Sequence, residues 1–402
     1  MAKFRKTPPQ EEPETRAQTQ SKKKKPTKNQ YRLLQISAAL ALAAGLLVAA
    51  WAVLGSVRFS NIEDVWKMTG RRGEGFPLPT TYASLQQAAL MGESLVLLGP
   101  TALNIHAPNS YVAMDFPQPY HAPALCAANG RLLLFDRDSG QFTLMSKTKV
   151  LHEDVLEHDI FCMDLGDSGA FAVGTKAESA ASELYAYDAR LNKRFGWRCE
   201  KEYPGALRLS NSGRGLAACL IGTEQAEVYT RFMEFDFNQT PPRIDLRLDG
   251  VWLYGVSETS GGWLAVGDQA AYLIKRGAKP QTHGYEGRTL DGYDADGGYC
   301  AILLQDWDNR SLLRVYNRQG ALVLEQGFRQ RPLGVQCRAG TVYLQFADRL
   351  VRWNSRSGFR QSTELPAGTQ KVFVTGSQAY ALTLRNVEQM RLRWSDAEDS
   401  LF

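Results

Sequence analysis

Polar and apolar positions divide the chain into three unlike parts. Residues 1–32 show no apolar periodicity and are rich in Lys, Gln, Thr, Pro and Glu, which predicts a disordered tail. Residues 33–57 carry no charge over 25 positions and are dominated by Leu and Ala. As a helix rising about 1.5 Å per residue, this segment is about 37 Å long, enough to cross a hydrocarbon core of about 30 Å. From residue 58 onward, short apolar runs alternate with Gly, Asn, Asp and Ser, the pattern of strands joined by turns.

The strand region repeats. A strand closing in a hydrophobic residue and then a small polar or charged one recurs at Ile105-His106, Met145-Ser146, Tyr187-Asp188, Phe235-Asp236, Ile274-Lys275, Tyr316-Asn317, Trp353-Asn354 and Trp394-Ser395. The spacings are 40, 42, 48, 39, 42, 37 and 41 residues. A second landmark precedes each one: a Gly-bearing turn entering an apolar strand, as in ANGRLLLFD (128–136) and RAGTVYLQF (338–346). A period near 41 residues with four short strands predicts the blades of a β-propeller. The fold class is therefore all-β, an eight-bladed propeller behind a single N-terminal transmembrane helix. A seven-bladed ring is the alternative, if the weak first copy (84–121) is not a blade.

The eighth copy supplies three strands and ends in an acidic stub, DAEDSLF (396–402). The segment GEGFPLPT (73–80) resembles the outer-strand endings of other copies and is expected to complete the last blade. The predicted organisation is a tail (1–32), a membrane span (33–57), a short stalk (58–73) and a propeller (74–402).

Charge adds a direction. The whole chain has 47 Lys and Arg against 42 Asp and Glu, but residues 1–32 hold ten of the bases and three of the acids. The remainder has 37 bases and 39 acids, a net of −2, which gives no general attraction to nucleic acid. Ten cations ahead of the apolar segment place the N-terminus in the cytoplasm and the propeller outside. The competing reading is a cleaved signal peptide, whose apolar region runs to about 7–15 residues and is shorter than this one.

Candidate chemistry is sparse. Six Cys lie in the exported part, most within apolar strands, and no CxxC occurs, so they are expected as free buried thiols. The cluster HEDVLEHD (152–159) lacks the HExxH spacing, and in a strand His152 and His158 stand about 20 Å apart, too far for one metal. Asp291, Asp294 and Asp296, and likewise Asp306 and Asp308, hint at calcium but read better as hairpin-turn residues. No nucleophile elbow or phosphate loop is present. No catalytic or metal residue and no cofactor is expected. The turns from the last strand of one blade to the first of the next should ring the channel mouth, where partners dock. They are expected to carry Tyr120, His121, His158, Tyr203, Trp252, Tyr254, Tyr293, Arg329 and Arg331.

The phrase LYAYDARLNKRFGW (184–197) resembles the quinoprotein-like and WD40-like propeller superfamilies. A basic tail, one span and GFPLP ahead of a propeller is similar to an uncharacterised family of membrane-anchored propellers of Gram-positive bacteria. The resemblance implies a fold and a location and no assigned activity. The Gly-His and Trp-Asp signatures do not recur from copy to copy as in WD40 blades, and a Trp at the quinoprotein docking point occurs in one copy, at Trp197. The expected role is a protein-binding or scaffolding module at the cell envelope, not an enzyme. The alternative is a small-ligand or glycan receptor at the channel mouth, and a quinoprotein-type enzyme is the third. The expected partners are a cell-envelope protein or glycan and the lipid bilayer.

Overall fold

A Gly-bearing hairpin turn every forty residues folds the strand region into antiparallel meanders. The computed structural model describes residues 59–396, apart from 129 and 356, together with positions 41, 42 and 45. The expected tail and the rest of the expected span (33–57) lie outside the described residues. No helix among the described residues is long and apolar enough to cross a membrane.

Eight sheets form the eight blades of a propeller. Their first strands are Gln87–Met91, Pro123–Ala128, Ile160–Leu165, Tyr203–Leu209, Leu253–Thr259, Thr289–Asp296, Gly334–Arg338 and Thr369–Thr375. These first strands are the inner ones, and neighbours lie against one another around the axis. We label the four strands of a blade a to d from the axis outward. The meander then places the a–b and c–d turns at one end of the ring and the b–c and d–a turns at the other.

Both sequence landmarks have a physical cause. Each a–b turn contains, or in blade 5 is followed at Gly262 by, a glycine at positive φ, where a Cβ is penalised. At Gly340 (φ 91°) space also forbids a side chain, since a Cβ would come within 2.9 Å of the Tyr299 ring. The polar residue ending strand c caps the c–d turn. Asp188 accepts the N–H groups of Arg190 (2.9 Å) and Asn192 (3.0 Å), and Asn317 those of Gln319 (2.9 Å) and Ala321 (3.0 Å). The eighth pair is displaced: strand c of blade 8 ends at Arg391, ahead of Trp394-Ser395.

Burial follows the seams. Eight apolar clusters are each shared by two adjacent blades, with Leu134 and Leu98 on one seam and Leu344 and Leu313 on another. A blade is apolar on both faces and is stable only between neighbours, so the ring must close. Leu78 closes it. Its N–H donates to Val387 O (2.8 Å), its carbonyl accepts the Val387 N–H (3.0 Å), and its side chain is buried with Phe373, Tyr380 and Leu95. The segment 73–80 thus joins the last blade as expected, through one bridging residue and not a full strand. Past blade 8 the described chain runs on to Asp396, the first residue of the acidic stub. Ser395–Asp396 pairs with Arg360–Glu364 and adds a fifth strand to blade 7.

The expected stalk carries a helix, α1 (Phe59–Met68), docked on the c–d turn of blade 2. Asp64, 2% exposed, accepts Ser146 Oγ (2.9 Å), Thr148 Oγ1 (2.6 Å) and the Lys147 N–H (3.2 Å). Residues 69–75 then cross the c–d turn of blade 1, where Arg71 Nη1 donates to Tyr111 Oη (2.6 Å) and the Gly75 N–H to Ser110 Oγ (2.7 Å). The N-terminal segment is therefore a strap over blades 2, 1 and 8 at the a–b/c–d end.

The turn caps give an acid dependence. The Asn238 N–H holds the Asp236 carboxyl below its usual range. At Asp188, desolvation acts to raise the value, and the Asn192 and Arg190 donors outweigh it. A depressed folded pKa gives stability that is complete above the unfolded value of about 3.9 and lost as pH falls through the folded one. Asn already caps the corresponding turn in blades 6 and 7. Asp188→Asn/Asp236→Asn should therefore leave the melting temperature at pH 7 nearly unchanged. It should move the acid-unfolding midpoint roughly half a pH unit lower, read by circular dichroism.

Candidate functional site

Strand a has a free backbone edge facing the channel, and its N–H and C=O groups need partners. Side chains of the neighbouring blade supply them. Gln87 Oε1 accepts the Leu125 N–H (3.1 Å) and its Nε2 donates to Leu125 O (3.2 Å). The thiols of Cys126 and Cys162 donate to Met163 O (3.1 Å) and Pro204 O (3.6 Å). Asp164 accepts the Leu209 N–H (2.7 Å), Glu258 that of Asn211, and Asp294 that of Cys337 (2.8 Å). Tyr293 Oη donates to Tyr254 O (3.2 Å), and Gln336 Oε1 accepts the Val374 N–H (3.1 Å). At the closing seam Tyr380 Oη donates to Glu93 O (2.8 Å) and Gln389 Nε2 to Pro108 O (2.7 Å). Every seam of the ring is thus pinned by a side chain to the next blade's backbone.

This corrects one sequence expectation. Asp291, Asp294 and Asp296 are not hairpin-turn residues; they lie on strand a of blade 6 (Thr289–Asp296) and face blade 7. Asp291 pairs with Arg331 (2.8 Å), Asp294 with Arg338 (2.9 Å), and Asp296 accepts the Ala339 N–H (2.8 Å). Asp306 and Asp308 do sit in a turn, closed by Arg310. His152 lies on the outer strand of blade 2, 3.6 Å from Asp154. Among the described residues no group of His, Cys, Asp and Glu could hold a metal ion.

His121, His158, Trp252, Arg329 and Arg331 occupy d–a turns as expected. Tyr203, Tyr254 and Tyr293 belong instead to inner strands of blades 4, 5 and 6. Tyr120 is buried between blades 1 and 2, with its hydroxyl 2.6 Å from Thr143 Oγ1, so it is a packing residue. The structure brings together Tyr254 and Tyr293 through their hydrogen bond. It also adds Phe161, edge-on to Tyr203 with ring centroids 5.6 Å apart. Phe161 was missed because its blade gives no local signal of a channel position. His121, His158 and Arg329 stand on separate turns and form no joint constellation. Two cavities of about 600 and 320 Å³ line this half of the channel and share Arg208 and Ala295.

Charge in the channel is uneven. The inner strands of blades 3 to 6 carry Asp164, Glu258, Asp291, Asp294 and Asp296 against Arg208 alone. Burial raises the Asp164 carboxyl, and Arg208 acts against that rise. Glu258 and Asp296 meet backbone N–H groups and, among the described residues, form no ion pair.

The two ends of the ring also differ. Among the described residues the b–c and d–a turns hold seven Lys or Arg against eleven Asp or Glu. The a–b and c–d turns hold nine against three. The acidic end presents Trp252 and Trp307, the latter 87% exposed. The basic end carries the strap.

All six Cys are free thiols. Burial pushes Cys126 and Cys219 up to about 12, and Cys199 and Cys337 up to about 11. A thiol reagent at pH 8 should therefore react slowly with the native protein and count six thiols after denaturation without reductant. A count of four or fewer would mean that disulfides form.

A family model described as a family of unknown function (DUF5711) matches residues 119–392, from the start of blade 2 to the end of blade 8. No curated protein matches the chain. Solved structures similar to it include the C-terminal WD40 domain of Sif2, at 8% identity, covering 80% of this chain and 98% of that one with a TM-score of 0.54. That likeness is one of fold. The Cps50 (Swd1) propeller domain of Myceliophteria thermophila (12% identity, 72% and 99% covered, TM-score 0.46) is more distant in shape. So is hydrazine synthase of Kuenenia stuttgartiensis (12%, 81% and 98%, 0.45). The chain is an eight-bladed β-propeller that belongs to DUF5711, a family of unknown function.

Proposed function

We propose that the chain is a membrane-tethered propeller that holds a protein partner at the outer face of the cell envelope. It acts by binding and not by catalysis. The tether is residues 33–57, uncharged and preceded by ten cations. The partner presents a basic segment to the end formed by the b–c and d–a turns. One observation carries this reading: exposed aromatics and an excess of acid coincide at the end opposite the strap. Trp252, Tyr254 and Tyr203 stand at that end, where the turns among the described residues hold eleven carboxylates against seven bases. Aromatic faces and carboxylates together favour Lys or Arg, and the walls of a cleft focus the field. Seam pins on every blade keep this surface rigid, so little ordering entropy is lost on docking.

Photo-crosslinking of the full chain in its native membrane tests the proposal. A benzoylphenylalanine at Tyr254 should capture a protein, whereas one at Val323, on the outer strand of blade 6, should not. Capture should fall several-fold between about 0.1 and 0.5 M salt, where screening shortens to a few ångströms. It should fall again in Glu157→Gln/Glu200→Gln, which removes two exposed carboxylates of the d–a turns. Equal capture at the two positions, or capture indifferent to charge, would contradict the reading. A glycan adduct without protein would replace the partner by a sugar.

A further inference from the structure

The strap and the basic end point to a second contact surface. Helix α1 has two unlike sides. Its carboxylates are turned inward: Asp64 is buried on the Ser146–Thr148 turn, and Glu63 pairs with Lys149 and with Lys67 (3.0 Å). Trp66 and Val65 are 82% and 63% exposed and cover no part of the propeller. Exposed Lys67, Arg71 and Arg72 follow them in the chain.

We propose that the a–b/c–d end of the propeller rests on an anionic lipid surface, with the outer side of α1 as its foot. The inference rests on the tethered reading and adds to it the side of the ring that faces the bilayer. Three observations carry it. The first is reach. Trp66 follows Val57, the last residue of the apolar segment, by nine positions, and the eight from Phe59 to Trp66 rise only about 12 Å along the helix. With the segment in the bilayer, Trp66 stays close to the headgroups. The second is chemistry. An exposed Trp and an aliphatic side chain followed by exposed cations suit the interface, where an indole is half in hydrocarbon and half in water.

The third is charge complementarity over the whole end, nine bases against three acids, while the opposite end has the reverse sign. Several of these bases are unpaired among the described residues. Lys275, Arg276 and Lys279 share the c–d turn of blade 5, all exposed and without an ion-pair partner there. Each base near an anionic surface adds to the attraction, so a handful orients a ring that is already tethered. The foot is also fixed in place, because Asp64 and Glu63 tie α1 to blade 2. A surface contact at α1 therefore sets the tilt of the propeller as a whole.

The test uses the full chain in liposomes containing phosphatidylglycerol. An environment-sensitive fluorophore is attached at Val65→Cys, or at Trp307→Cys on the other end. The six native thiols are buried or partly buried, so the new one is labelled selectively. Carbonate extraction is run on the same samples. The expected result is a carbonate-resistant chain whose probe at 65 is blue-shifted and quenched by brominated lipid. That quenching should be about threefold stronger than at 307. Lys275→Glu/Arg276→Glu/Lys279→Glu should lower the quenching at 65 about twofold without releasing the chain. A resistant chain whose probe at 65 stays water-like would overturn the foot and leave the tether standing. A chain extracted by carbonate would overturn the tether, and the foot with it.

Discussion

A four-stranded sheet that is apolar on both faces and carries a bare inner edge has two unmet needs, and the ring answers both. Apolar side chains of neighbouring blades fill eight seams, and a polar or thiol side chain crosses each seam to the next blade's backbone. Neither device works for a blade alone. The ring must therefore be closed, and Asp294, which hints at calcium in the sequence, serves with Gln87, Asp164 and Gln336 to hold it closed.

Closure links the two termini to function. The segment entering from the N-terminal side passes under blades 2 and 1 before Leu78 joins blade 8, so the strap and the last seam are one stretch of chain. This confines the strap to one end and leaves the other end clear. The clear end is acidic and aromatic, and the strapped end is basic. In the proposed reading a tether gains from that division, since the charge asymmetry that would hold one end to an anionic surface would present the other end to a basic partner.

The repeat was legible in the sequence because its causes are local. A glycine at positive φ in or directly after each a–b turn and an Asx cap such as Asp188 or Asn317 act within a few residues, so they recur at fixed spacing. What was not legible depends on residues far apart. Asp294 meets Cys337 from 43 positions away, and Leu78 meets Val387 from the far end of the chain, so neither spacing announces a contact. Net charge hid the asymmetry, because surplus bases at one end and surplus acids at the other cancel in a total of −2 for residues 33–402. The helix in the expected stalk escaped notice because its amphipathic run is ten residues long and half polar. Tyr203, Tyr254 and Tyr293 were assigned to turns because strand boundaries within a blade shift by a few residues. They line the channel from its walls instead.

Hydrogen exchange at the closing seam tests the central claim most directly. If one pair of backbone hydrogen bonds completes the ring, the amides of Leu78 and Val387 should exchange only through global unfolding. Their rate should then match that of Ala218 in the core of blade 4. Exchange of those two amides at the rate of an open loop, while blades 2 to 7 stay protected, would show a ring that is not held shut where this account places its clasp.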